Sequence, residues 1–204
     1  MIITVGRQYA AGGRDIAKRL GEAFNLVVYD SKLLSAAAAE SGISAEHFSK
    51  ADEQTHYARA TKWLSSHVPL FFGAYGANQG LTNQTLFQLQ SDAIRQIAEQ
   101  GDCIFIGRCA DYILRERTDM VSVFITADEE ERIEHIMCSE NVNRDKALKI
   151  IRAMDRQRAD YYNFYTEKTW GEAKSYDLCI NCTRLGHDKT ADFIVDFIKK
   201  RFKE

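Results

Sequence analysis

With 204 residues, 45% of them hydrophobic and 27% charged, the chain can bury one substantial core and has the make-up of an ordinary globular domain. Its formal net charge of −2 leaves no global attraction to nucleic acid or to an anionic membrane surface, so any affinity for anions must be local. No apolar run approaches bilayer-spanning length, and Met1 leads straight into a strand pattern instead of a cleavable leader, which predicts a cytoplasmic protein without nucleic-acid or membrane partners.

Ile2-Ile3-Thr4-Val5 is a β-branched run, Gly6 opens a loop of mostly small residues that ends at Gly12 and Gly13, and Arg14-Asp15-Ile16-Ala17-Lys18-Arg19-Leu20 is an amphipathic helical pattern. A strand that feeds a glycine-bearing turn and a helix start aims several backbone N–H groups and the positive end of the helix dipole at one spot, which suits phosphate oxygens. The alternative is an ordinary tight connection in which the glycines supply only positive φ and close packing. The P-loop pattern asks for Gly, four residues, Gly, Lys and then Ser or Thr. With Gly12 as its last glycine, Gly13 occupies the Lys position, Arg14 the hydroxyl position and Arg7 that of the first glycine. Arg7 and Arg14 can replace a point charge with a fork matched to phosphate. The dinucleotide spacing Gly-x-Gly-x-x-Gly is absent.

A second strand is predicted over residues 25–29, with Asp30 at its carboxyl end, the edge at which open α/β sheets bind ligands. From 31 to 100 the pattern is helical and too long for a simple crossover. Within it, residues 68–84 hold Pro69, Gly73, Gly76 and Gly80 with Phe71, Phe72 and Tyr75, a loop that either faces a substrate or packs on the nearest helix. A helix over 86–100 leads into the buried parallel strand Asp102-Cys103-Ile104-Phe105-Ile106, which ends in Gly107-Arg108. Residues 120–125 form another such strand, and Thr126-Ala127-Asp128-Glu129 has the capping-box form. Residues 176–181 supply a fifth strand and 188–202 a closing helix with basic residues in its last turn. Strands alternating with helices predict an α/β fold, a parallel sheet with helices on both faces.

Between Arg132 and Tyr176 the pattern is helical and carries Arg144, Arg152, Arg156 and Arg158 with Asp145, Asp155 and Asp160, then Tyr161-Tyr162-Asn163-Phe164-Tyr165. Asp155 precedes Arg158 by three and can pair with it. This stretch reads as a solvated charged helix or as an arginine-bearing lid that closes over a polyphosphate. The five cysteines, Cys103, Cys109, Cys138, Cys179 and Cys182, fall mostly in apolar strand patterns and read as buried reduced thiols, with a redox or metal-binding Cys179-x-x-Cys182 pair the lesser alternative because no second ligand pair accompanies it. His47, His56, His67, His135 and His187 show no ligand spacing or triad company, and no metal site is predicted.

Three motifs in order, Gly6-Arg7-Gln8-Tyr9-Ala10-Ala11-Gly12-Gly13-Arg14-Asp15-Ile16-Ala17, Ile106-Gly107-Arg108-Cys109-Ala110-Asp111 and Asp155-Arg156-Gln157-Arg158-Ala159-Asp160-Tyr161-Tyr162, followed by Trp170-Gly171 and Tyr176-Asp177, resemble the cytidylate-kinase-like family, a divergent branch of the P-loop nucleoside monophosphate kinases. The resemblance covers nearly the whole chain and implies a P-loop NTPase-type sheet with a core over 1–30, 101–131 and 173–204, a helical monophosphate-binding insert over about 31–100, and an arginine-bearing lid over about 132–172. It implies transfer of a phosphoryl group from ATP, with Mg²⁺, to a nucleoside monophosphate, CMP or dCMP first. Arg7, Ala10, Ala11, Gly12, Gly13, Arg14 and Asp15 would form the nucleotide-binding loop, Arg108 would anchor the monophosphate, and Asp30, Asp111 and Asp155 would lie on the substrate side. Arg14, Arg156 and Arg158 would supply catalytic charge. True cytidylate kinases carry Lys-Ser or Lys-Thr in the loop and Gly-Arg-Asp at the strand end, where this chain has Gly13-Arg14 and Cys109. A catalytically silent nucleotide-binding regulator, and a kinase of another small acceptor, are the rival readings.

Overall fold

The computed structural model describes residues 1–30 and 83–202. Its strands are β1 (Ile2–Arg7), β2 (Val27–Tyr29), β3 (Cys103–Ile106), β4 (Met120–Thr126) and β5 (Leu178–Asn181). Its helices are α1 (Gly13–Phe24), α2 (Asn83–Gln100), α3 (Ala110–Ile113), α4 (Glu129–Glu140), α5 (Arg144–Thr166) and α6 (Gly186–Phe202), with a 3₁₀ turn at Ala173–Ser175. The chain divides into two compact units, Met1–Val28 with Asp102–Glu204, and Tyr29–Gly101. Residues 31–82, for which the sequence predicts helix, and with them nearly all of the aromatic loop expected at 68–84, lie outside the described residues.

The sheet has the order β2-β3-β1-β4-β5. β1 pairs in parallel with β3 and β4, from Ile2↔Cys103 and Ile2↔Met120 onward, and β4 pairs in parallel with β5. The strands are apolar at successive positions because both faces are covered. Ile3, Val5, Ile104, Ile106, Val121, Val123 and Ile125 share one core with Ile16, Ala17 and Leu20 of α1 and Ala191, Ile194 and Ile198 of α6. On the alternate positions Ile2, Phe105 and Phe124 are equally buried, and Phe124 lies under Trp170 and Tyr176 at ring distances of 5.2 and 4.8 Å. Each such side chain contributes about 1.5–3 kcal/mol on burial.

The expected helix between Arg132 and Tyr176 is two helices, α4 and α5, joined through Asn141-Val142-Asn143. Asn141 closes α4 in the left-handed conformation, and the Asn143 side chain caps α5 by accepting from the Lys146 amide at 3.0 Å. Ile133 and Ile136 of α4 and Ala147 and Ile151 of α5 form a small core of their own. The capping box is corrected: Thr126 is the last residue of β4, paired with Asn181, its hydroxyl donates to Ile180 O at 3.3 Å, and Asp128 is the N-cap of α4. Ladder pairing took the threonine that the local pattern assigned to the helix. Two cysteines also differ from expectation, Cys138 and Cys179 being exposed.

Candidate active site

β1 brings the chain to the carboxyl edge of the sheet at its central strand, between β3 and β4, where the connections leave in opposite directions. Gln8 extends the ladder, its amide donating to Ile125 O at 3.0 Å and its Oε1 accepting from the Ala127 amide at 3.2 Å. Ala10 and Gly12 are left-handed, with φ of 61° and 67°. At Gly12 a side chain is also excluded by contact, since a Cβ there would stand 2.0 Å from His187 Nε2. The Cys182 thiol donates to Ala11 O at 3.4 Å. Gly12 is the N-cap of α1 and brings no side-chain cap, so the first-turn amides and the positive end of the dipole face the loop.

Guanidinium groups gather on this loop from three elements. Arg158 of α5 donates to Arg7 O at 3.1 Å and lies over the Tyr9 ring at 5.3 Å. Arg132 of α4, 6% exposed, donates to Tyr9 O at 3.2 Å and to Asp155 Oδ2 at 2.5 Å. Asp155 in turn accepts the Tyr9 amide at 2.6 Å through Oδ1. The expected i, i+3 partner of Asp155 was Arg158; the carboxylate instead joins Arg132 and the loop backbone. Burial lowers the proton affinity of Arg158 below its ordinary value; Asp155 and Tyr9 oppose the shift, while Arg14 and Arg132 add to it. Two further cations therefore act on Arg158 here, and a polyanion would relieve that repulsion. The Arg132 Nε is buried without a hydrogen-bond partner among the described residues.

Beside the loop, β3 ends in a turn where Gly107, Arg108 and Cys109 all have positive φ, at 71°, 57° and 58°. Left-handed backbone costs a non-glycine residue about 1–2 kcal/mol, so surrounding contacts must hold the turn. The Gly107 amide donates to Val5 O at 3.1 Å, Cys109 is buried as the N-cap of α3, and Arg108 lies over the Tyr161 ring at 5.4 Å. Burial pushes the Cys109 thiol up to about 12, so it is an inert part of this frame. Desolvation likewise raises the Tyr161 phenol to about 12, with Arg108 pulling the other way.

The remaining expected site residues scatter. Asp111 turns inward and accepts from the Tyr162 hydroxyl at 2.7 Å, its carboxyl raised by desolvation. Arg156 stands on the solvent face, 84% exposed, 3.8 Å from Asp160. Asp15 is exposed at the start of α1, its Oδ2 3.6 Å from His187 Nδ1. Asp30, half-buried, directly follows β2 and belongs to the second unit. No group of three or more His, Cys, Asp or Glu among the described residues converges on a metal-sized site, and Arg14 stands where the P-loop pattern has a Mg²⁺-binding hydroxyl. This donor set does not fit a resident Mg²⁺; an ion arriving with a nucleotide would be held by phosphate oxygens and water.

The profile of the cytidylate kinase-like family matches residues 2–184. The chain belongs to that family. The cytidylate kinase of Methanopyrus kandleri (strain AV19) is 24% identical over 200 residues, which is 93% of this chain and 89% of that protein. Among solved structures, an uncharacterized protein from Eubacterium ventriosum ATCC 27560 matches with a TM-score of 0.74 at 27% identity over 98% of both chains. Shikimate kinase from Bacteroides thetaiotaomicron shares the fold, with a TM-score of 0.53 at 14% identity over 98% of both chains. Family and fold together support phosphoryl transfer by a kinase, and no described helix is long and apolar enough to cross a membrane. Arg132 and His187, which reach the loop of this cytidylate kinase-like chain, carry no local signal of a role. The partners of Arg132 lie 123 residues before it and 23 after it, so only the tertiary structure reveals them.

Proposed function

We propose that this member of the cytidylate kinase-like family transfers the terminal phosphoryl group of Mg²⁺-ATP to the phosphate of a nucleoside monophosphate, with CMP or dCMP the first acceptors to test. The reading is carried by one observation, a helix N-terminus without a side-chain cap at the centre of the sheet edge, with Arg132 and Arg158 bound to the carbonyls of its loop. The loop amides and Arg14 would take the donor phosphates, and Arg108 the phosphate of the acceptor. An acceptor phosphate oxygen bonds to the γ-phosphorus as the bond from phosphorus to the bridging oxygen breaks, and that electron pair leaves with ADP. The acceptor phosphate is already ionised near neutral pH, so no protein base is required. The work left to the protein is positioning and charge stabilisation, which the converging guanidinium groups suit.

A coupled assay with ATP, Mg²⁺ and a panel of monophosphates tests this. Turnover with one or more acceptors is expected, and Arg108→Met should raise the apparent constant for the monophosphate more than that for ATP. Nucleotide binding without turnover on any acceptor would support instead a catalytically silent nucleotide-binding regulator, the reading favoured by the glycine at the Lys position.

A further inference from the structure

We propose that Arg7 is the catalytic cation of the phosphate loop, holding the phosphoryl group in transfer in place of the P-loop Lys; this rests on the phosphoryl-transfer reading above. Two close approaches carry it. A Cβ built on Gly13 would stand 2.6 Å from Arg7 Cβ and 2.8 Å from Arg7 Cγ, so the Arg7 stem fills the volume in which a side chain at position 13 would begin. A Cβ on Gly107 would stand 2.2 Å from Arg7 Nη1, so the guanidinium ends against the turn that carries Arg108.

The Arg7 side chain thus runs from the start of α1 to the end of β3. One end adjoins the amides suited to donor phosphates and the other adjoins the cation suited to the acceptor phosphate. In an in-line transfer the group between those two sites is the phosphoryl itself. There a half-buried guanidinium donates to its equatorial oxygens and, like the P-loop Lys, to the adjoining β-phosphate that ADP also carries, while forming and breaking no bond of its own. Arg14 is exposed on the first turn of α1, where solvent screens its charge. The approach of the Arg7 stem explains why position 13 is glycine; at position 107 the guanidinium tip could shift, and the positive φ of 71° is what favours glycine.

The test is a set of variants in the full chain, read by calorimetry with ADP, by turnover with ATP and the monophosphate panel, and by thermal melting. Arg7→Gln keeps the stem over Gly13 and removes the charge. It should weaken ADP binding about tenfold, the low end for a hydrogen bond to a charged group, and depress turnover on the order of a hundredfold or more. Gly13→Lys alone should be equally poor, because the new stem collides with that of Arg7. The double variant Arg7→Gly with Gly13→Lys, which has the P-loop spacing, should recover most of both. The proposal is overturned if Arg7→Gln binds and turns over like the wild type or if Gly13→Lys alone does. It also falls if the double variant melts normally and is no better than Gly13→Lys. Should the wild type bind ADP and phosphorylate none of the panel, the proposed function fails and the ADP affinities alone decide the role of Arg7. Should the wild type bind neither ADP nor ATP, both fall.

Discussion

Asp111 and Tyr162 form a 2.7 Å hydrogen bond between α3 and α5, and cutting it from either end has a different expected result. Tyr162→Phe leaves the carboxylate without its donor and should destabilise the fold by about 1–3 kcal/mol in chemical denaturation. Asp111→Asn keeps an acceptor for the hydroxyl and removes a charge that desolvation opposes. Because the folded pKa of Asp111 is raised above 3.8, its contribution to stability is full below that value and is lost as pH rises through the folded pKa. The melting temperature of Asp111→Asn should therefore gain on that of the wild type as pH rises from about 3.5 to about 7, and an equal difference at both would refute the assignment. The sequence resemblance placed Asp111 on the substrate side. In the structure its carboxylate adjoins an aromatic cluster in which Tyr162 stacks on Tyr176 and Tyr176 lies tilted against Phe124, a neighbourhood that the order of residues in a short helix does not reveal.

At the scale of elements, α5 presents two faces with different duties. Arg152 and Arg156 are 67% and 84% exposed, in long pairs with Glu129 and Asp160 at 3.7 and 3.8 Å, which is the geometry of a solvated charged face. Asp155 and Arg158 are on the loop side. Arg158→Ala is therefore expected to depress turnover on the order of a hundredfold or more, and Arg156→Ala to leave it within a few fold. Comparable loss in both would return the two residues to equal standing. Asp155→Ala strands the buried Arg132 and should destabilise by about 3–5 kcal/mol, the usual result of breaking a buried pair from one side. The helical period and the density of arginines were readable from the chain. Which arginine faces the loop was not, because α4 had merged with α5 in the pattern, and the pairing of Asp155 is fixed by the packing of those two helices.

For the whole molecule, the parallel strands β1, β3 and β4 were legible within a residue or two at each end, since strands buried on both faces write themselves as continuous apolar runs. The loop was legible through its glycines. The tie between the loop and the α4–α5 pair was not, as it joins Tyr9 to a carboxylate 146 residues away. That tie, with Tyr9 and Ala10 packed on the small core of α4 and α5, joins the loop to the helical pair by a hydrogen bond and by packing. Hydrogen exchange should accordingly slow in both together when ATP and a monophosphate are added. Protection confined to residues 8–16, with exchange in α4 and α5 unaltered, would mean that the helices only stand beside the loop.

The stem of Arg7 over Gly13 also has a historical consequence. A lineage with a long side chain at position 7 cannot acquire lysine at position 13 in one step, because the intermediate collides with itself. The opposite order, with glycine first at position 7, passes through a loop that has neither cation. On the proposed role of Arg7, selection for activity would couple the two sites, and a descendant would exchange one loop cation for the other only by changing both.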